Sequence, residues 1–333
     1  MSEFRKPFER CSLEKAPAIT DPRYGIPPEQ RPIREHLEHG VVTIDKPAGP
    51  TSHEVVAWIR VMLELNKAAH TGTLDPKVTG VLPVLLGTAT KLAEIFVGDK
   101  EYVCVMRVHR PVDESRLRAV SAEFVGEIYQ RPPLKSAVRR RIRKRTVHYL
   151  EVMEIAGKEV LVTVGCEAGT YIRMLCHHLG LALGVGAHMA ELRRTKSFPF
   201  SEERLTTLHD LKDAYVFYQA GDERLLRQLI MPLEDAVRHL RCIMVKDSAV
   251  DALAHGADLS APGIARLEEG INRGDSVIVY TLKGEAVSLG EAVLNSREML
   301  KAEKGICVET RKVLMKPGTY PKGWRSKAEV AER

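Results

Sequence analysis

Between His70 and Pro83 the chain reads HTGTLDPKVTGVLP. The stretch puts one acid, Asp75, directly before Pro76 and between Gly72 and Gly80, with no second carboxylate in the segment. Proline pushes the residue before it out of helical dihedrals, and the two glycines permit tight or left-handed turns. A chain constrained in this way holds a single side chain at the tip of a rigid loop. An Asp-Pro turn is by itself ordinary surface punctuation. The residues around it therefore decide what the loop is for.

At 333 residues the chain has room for two domains, and a hydrophobic content of 44% supplies real cores. The net charge of +6 is informative only through its distribution. Cys11, Cys104, Cys166, Cys176, Cys242 and Cys307 are dispersed, with no CxxC pair. That pattern reads as reduced thiols, not a disulfide framework or zinc site. In Cys176-His177-His178 the neighbours on a helix point in different directions, so the trio is not read as a metal site. No cofactor is expected: Gly87-Thr88-Ala89-Thr90-Lys91 lacks the phosphate-loop spacing, and no other motif calls for a coenzyme. The charged, proline-bearing N-terminus has no apolar signal region, and no run approaches ~20 apolar residues. A soluble, cytoplasmic protein without membrane contact is the expectation.

Residues 1–36 are rich in proline and charge and read as an extended arm. Gly40–Ile44 is a short strand pattern, and Thr51-Ser52-His53-Glu54 is a capping box opening a helix with Val55, Val56, Ile59, Met62 and Leu63 on one face. Val81–Leu86 reads as a strand, Thr88–Phe96 as a helix, and the strand opened by Lys100-Glu101-Tyr102 places Tyr102, Cys104 and Met106 on one face. Arg131, Lys135, Arg139, Arg140, Arg141, Arg143, Lys144 and Arg145 lie in a segment without an acid. Like charges this dense repel one another, so a phosphate backbone is the natural counterion and RNA contact is expected. Val147–Ile155 and Glu159–Val164 form a hairpin across Gly157-Lys158. Arg173 stands in the first turn of the next helix, where a cation is disfavoured, which points to a carboxylate or phosphate partner. Thr207–Gln219 and Leu225–Leu240 read as amphipathic helices. After Arg241-Cys242 a short helix (Ser248–His255) and strands at Ser276–Thr281, Ala286–Leu294 and Ile306–Val313 make a small β-rich second domain.

The runs KPxGxTS (from Lys46), HTGTLDP (from His70), KxY (Lys100 to Tyr102), GTYIR (ending at Arg173) and LRR (Leu192 to Arg194) resemble, in this order, the motifs of the TruB-type pseudouridine synthases. The KVTG continuation after Asp75-Pro76 resembles their guide-RNA-dependent branch, the dyskerin type of archaea and eukaryotes. The run from His255 to Ala292 resembles a PUA RNA-binding domain, and the lack of a long Lys/Glu-rich tail looks archaeal. The resemblance implies an α+β fold, with a pseudouridine synthase catalytic domain on a mixed or antiparallel sheet (37–240) and a small β-rich PUA domain (241–321). Residues 1–36 would pack on the PUA domain, and 322–333 would be a polar tail. It also implies roles: Asp75 as catalytic carboxylate, Arg173 as its ion partner and Tyr102 as the active-site aromatic. His70 would fill the stack vacated by the target base, Leu192 would pack near that base, and Lys46 would buttress the loop. The basic run would be a thumb closing over RNA. Family members usually carry glycine where this chain has Phe198, which would alter the turn there.

Pseudouridine formation breaks the uridine N-glycosidic bond, turns the base and rejoins it through carbon. It needs one carboxylate in a site closed to water. A buried ionised Asp needs a cation, here Arg173, and an aromatic face such as Tyr102 replaces lost stacking. Paired acids would instead have pointed to glycoside hydrolysis. The expected partners are an H/ACA guide RNA, substrate rRNA or tRNA, and small H/ACA ribonucleoprotein subunits on the catalytic domain. The alternatives are a stand-alone synthase for the tRNA TΨC loop and a non-catalytic RNA-binding scaffold. The second of these predicts decay of a site in which Asp75, Tyr102 and Arg173 all persist.

Overall fold

The computed structural model describes residues 7–132, 139 and 141–322. They divide into two compact units: Val42–Leu85 with Ala93–Leu229, and the chain up to Val41 with Leu86–Leu92 and everything from Ile230 on.

The first unit is built on a mixed sheet of β1 (Gly40–Lys46), β2 (Thr79–Leu86), β3 (Lys100–Val108), β4 (Gly126–Gln130), β5 (Arg143–Ala156), β6 (Glu159–Cys166) and β7 (Ala187–Ser197). Their spatial order is β1-β2-β7-β3-β6-β5-β4. The β2–β7 pairing is parallel and the pairings from β7 to β4 are antiparallel. Alternation explains the core: Cys104, Met106 and Val108 of β3 lie with Val160, Val162 and Val164 of β6 against Ile172, Leu175, Cys176 and Leu179 of the helix Ile172–Ala182. The helix Ser52–Met62 opens with the expected capping box, Thr51 and Glu54 each accepting the other's backbone N–H.

Three local expectations change. Gly87–Phe96 is a 3₁₀ helix, with Ala89 and Leu92 buried three residues apart and Thr90 bonded back to the Gly87 carbonyl at 2.7 Å. The predicted helix Leu225–Leu240 is broken: Arg224–Leu229 is helical, Met231–Pro232 pairs with Gly40-Val41, and Leu233–Ala236 forms one further turn. Pro232 has no N–H to continue a helix and crowds the turn before it. At the end of β7, Phe198-Pro199 is a cis peptide, and the Phe198 ring covers Gly98, where a Cβ would meet it at 2.7 Å.

In the second unit, β8 (Arg241–Val245), β9 (Leu259–Ser260), β10 (Ile264–Leu267), β11 (Ser276–Tyr280), β12 (Ala286–Ala292) and β13 (Ile306–Val313) form a sheet in the order β10-β8-β11-β12-β13-β9. The arm contributes an edge strand, Leu13 opposite Leu267 and Glu14 opposite Arg266. Lys15 Nζ donates to the carbonyls of Met299, Leu300 and Ala302 at the end of the helix Ser296–Lys301, where a cation is favoured. Arg31 pairs bidentately with Glu234 at 2.6 and 3.0 Å, both side chains buried. The sequence pattern had missed β8, β9 and β10, which are short and lack alternation.

Candidate active site

The loop before β2 is tied down on both sides of Asp75. Asp75–Val78 is a turn, with the Val78 N–H donating to the Asp75 carbonyl at 3.0 Å and Pro76 at its second position. The fully buried Lys46 ammonium spends its three protons on the carbonyls of Pro47 (2.9 Å), Pro76 (3.0 Å) and Val78 (2.9 Å). Gly49 N–H donates to the Pro76 carbonyl at 2.9 Å. Buried Ser52 accepts from Leu74 N–H at 2.8 Å and donates to the Leu74 carbonyl at 3.1 Å. Residues of the KPxGxTS run thus fix the backbone before and after the acid. Burial lowers the Lys46 pKa, and the Asp75 charge opposes that fall.

Arg173, in the first turn of its helix, pairs with Asp75 Oδ2. The turn is held by buried Gln130, whose amide accepts from Tyr171 N–H at 2.9 Å and donates to the Tyr171 carbonyl at 3.1 Å. One correction follows. Asp75 and Arg173 side chains are 54% and 51% exposed, so the free protein has no buried carboxylate for Arg173 to offset. At that exposure an ion pair contributes only ~0–1 kcal/mol to stability; what it fixes is the direction of the carboxylate.

Tyr102 is partly buried on β3, and burial raises the pKa of its phenol while the neighbouring Arg194 guanidinium opposes the rise. His70 ends a short strand (Ala68–His70) leading into the loop, its ring edge-on to His53 at 4.9 Å and 81°. Burial first, then His53 and Arg194, lower its pKa below that of an ordinary histidine. Leu192 sits opposite Cys104 and is partly buried against the core.

Sequence reasoning singled out Arg194 only as part of LRR. It is one of the largest fully buried side chains, donating to the carbonyls of Val81 (2.8 Å) and Gly72 (3.0 Å). Its strand explains Gly80 of the two loop glycines. Gly80, at φ +98°, lies opposite Arg194, and a Cβ there would stand 2.2 Å from the Arg194 carbonyl oxygen. Gly72 is not left-handed, and a Cβ there would stand in ordinary contact with the guanidinium, 3.5 Å away. Lys100 is likewise buried, two residues before Tyr102 on the same strand.

The basic run divides. Arg131, Arg139 and Arg141 are exposed, while Lys135 and Arg140 lie outside the described residues. Arg143, Lys144 and Arg145 belong to β5, not to a loop. There Lys144 pairs with Glu127 across the sheet, and Arg145 with Glu167 at 3.4 Å. These two therefore already have carboxylate counterions. Among the described residues, no cluster of three or more His, Cys, Asp or Glu could hold a metal, and no helix is long and apolar enough to cross a membrane.

Five family models match the chain: the DKCLD (NUC011) domain at 11–56, the TruB family pseudouridylate synthase N-terminal domain at 60–114, the Pus10 C-terminal model at 88–180, the tRNA pseudouridylate synthase B C-terminal domain at 173–238, and the PUA domain at 242–314. A protein of Methanopyrus kandleri named "Probable tRNA pseudouridine synthase B" is 57% identical over 324 residues, 96% of each chain. One of the same name from Methanosarcina acetivorans is 55% identical, covering 97% of this chain and 96% of its own. Among solved structures, "Structure of H/ACA RNP bound to a substrate RNA containing 2'-deoxyuridine" contains a chain 54% identical with a TM-score of 0.85, covering 94% of this chain and 96% of that one. "Crystal Structure of a Cbf5-Nop10-Gar1 Complex" contains one 55% identical with a TM-score of 0.84, covering 96% and 98%. The chain belongs to the TruB family of pseudouridylate synthases and is an RNA pseudouridine synthase.

Proposed function

We propose that this chain is the catalytic subunit of an H/ACA guide ribonucleoprotein that isomerises selected uridines of rRNA, with Asp75 as the catalytic carboxylate. The observation that carries the reading is the Asp75 loop: a lone carboxylate held from both sides by Lys46, Gly49 and Ser52, aimed by Arg173. In the reaction the C1′–N1 bond of uridine breaks with its electron pair moving onto the ring. The base turns, C5 bonds to C1′, C5 loses its proton and N1 gains one. Asp75 serves as nucleophile or ion-pair partner, and Tyr102 offers the stacking face. His70 fills the place the uridine leaves, and Leu192 packs near the base. Half-exposure of the Asp75–Arg173 pair fits a site that bound RNA, not the protein alone, closes to water.

The near full-length likeness to chains from H/ACA assemblies supports guide RNA, Nop10-like and Gar1-like proteins as partners. The PUA match supports an RNA-anchoring role for residues 241–321, with 37–240 as the catalytic domain. Exposed Arg131, Arg139 and Arg141 are read as backbone contacts. We place the protein in the cytoplasm, where such RNAs are processed in archaeal cells. A second reading, guide-independent action on tRNA, is favoured by the names of the curated relatives. Tritium release from RNA labelled at uridine C5 separates them. Release that requires a matched guide and partner proteins supports the ribonucleoprotein; release from bare tRNA supports the stand-alone activity.

A further inference from the structure

Lys100 is a buried cation to which the site as described gives no role. The residue is 7% exposed, and its ammonium has no hydrogen-bond partner among the described residues. It opens β3 and shares a face with Tyr102. Its Cε lies 3.8 Å, and Arg194 Nη1 3.5 Å, from the point where a Cβ of Gly72 would stand. The two cations therefore lie together beneath Gly72, three residues before Asp75. Among the described residues, the elements packed against Lys100 offer it no free counter-charge. From β7 comes Arg194, of like sign, and Ser197, whose hydroxyl is opposite Lys100 in register and also unbonded. From β6 comes the Cys166 thiol, whose own pKa is raised by burial, so it stays neutral. Asp99, the preceding residue, is largely exposed and engaged with His148 at 3.1 Å. Glu101 faces away, bonded to Tyr149, Thr195 and Lys196.

An unpaired buried cation beside another opposes folding, and an apolar side chain of similar length would remove that cost. Sites that keep such groups are commonly functional ones. We propose that Lys100 is a positioning residue for the isomerisation: acting through Arg194, it holds the guanidinium against the Gly72 carbonyl and the Tyr102 hydroxyl, and the two charges stabilise the negative charge the uracil ring acquires as the C1′–N1 bond breaks. This rests on the reading of Asp75 given above, yet not on its route. Attack at the sugar leaves a uracil anion and attack at the ring leaves an enolate, so the ring is anionic either way. Preorganised charge in a water-poor site is the effective form of such stabilisation.

Burial first, then Arg194, bring the Lys100 pKa down to about 8, with Asp99 and Cys166 opposing, so the charge is lost as the medium turns mildly alkaline. The test is single-turnover tritium release by the assembled ribonucleoprotein across the neutral-to-alkaline range, for wild type, Lys100→Met, Lys100→Arg and Asp75→Asn, with RNA affinity measured alongside. The wild-type rate should fall through about pH 8. Lys100→Met should lose at least about tenfold in rate at neutral pH with little change in affinity, and should lack that alkaline limb. Lys100→Arg should restore rate and keep it at higher pH. A Lys100→Met enzyme that works at the wild-type rate, or one that is slow yet keeps the wild-type limb, overturns the proposal. An active Asp75→Asn protein would instead sink the reading beneath it.

Discussion

Replacing Lys100 by methionine should make the free protein more stable. The ammonium titrates at about 8 in the fold against an ordinary 10.5, chiefly because it is buried. At about 1.4 kcal/mol per pH unit, keeping it charged in the fold below that point costs roughly 3 kcal/mol. The sign follows from where the proton goes. Between about 8 and 10.5 the unfolded chain holds the proton and the folded chain does not, so wild-type stability climbs with pH over this window. Methionine keeps most of the stem and carries no charge. Its advantage should therefore be full below about pH 8 and should vanish above about 10.5. Allowing for relaxation around a buried charge, about 2–3 kcal/mol should be recovered at neutral pH. For a unit of this size each kcal/mol moves the midpoint by about 2–4 °C. Guanidinium unfolding of both proteins at neutral and strongly alkaline pH measures the difference. A variant less stable at neutral pH, or a gain of the same size at both, would refute the reasoning.

Other consequences are more local. Lys46→Met leaves the Pro47 and Val78 carbonyls without their ammonium donor, while Pro76 keeps Gly49 N–H. Net of relieving a buried charge, a loss of about 1–3 kcal/mol in denaturation and a larger drop in single-turnover rate are expected. Gly80→Ala forces a Cβ to within 2.2 Å of the Arg194 carbonyl oxygen at a φ of +98°, so it should cost at least about 2 kcal/mol and separate β2 from β7. Hydrogen exchange at Val81 and Leu82 would register that separation. Replacing Arg139 and Arg141 by alanine should lower the salt dependence of RNA binding by up to about one unit per residue. The same change at Lys144 and Arg145, already paired with Glu127 and Glu167, should lower it less.

The parts of the site that were legible in the sequence are those whose logic is local. Pro76 after Asp75, the hydroxyl and Glu of the capping box, and Arg173 at a helix start where a cation is out of place each declare themselves within a few residues. Pro232 is equally visible, and it breaks the helix that periodicity alone extends to Leu240. What was hidden depends on register. Arg194 reaches Gly72 and Val81 over more than 100 residues of chain because β2 and β7 run parallel at Gly80. The same non-local pairing buries Lys100 beside it. It also supplies Glu127 and Glu167 to a basic run that, read linearly, contains no acid. The exposure of Asp75 was misjudged because the chemistry calls for a closed site, and a sequence does not distinguish a site closed by its own chain from one closed by bound RNA.

The central claim is that one carboxylate, Asp75, performs the isomerisation. The most direct test is tritium release from C5-labelled RNA by Asp75→Asn in the assembled ribonucleoprotein, with binding of the same RNA measured in parallel. The substitution removes the charge while keeping the volume. Because the Asp75–Arg173 pair is half exposed, it should leave the fold and RNA affinity nearly unchanged. The account predicts full binding and no release. Release at the wild-type rate would contradict it.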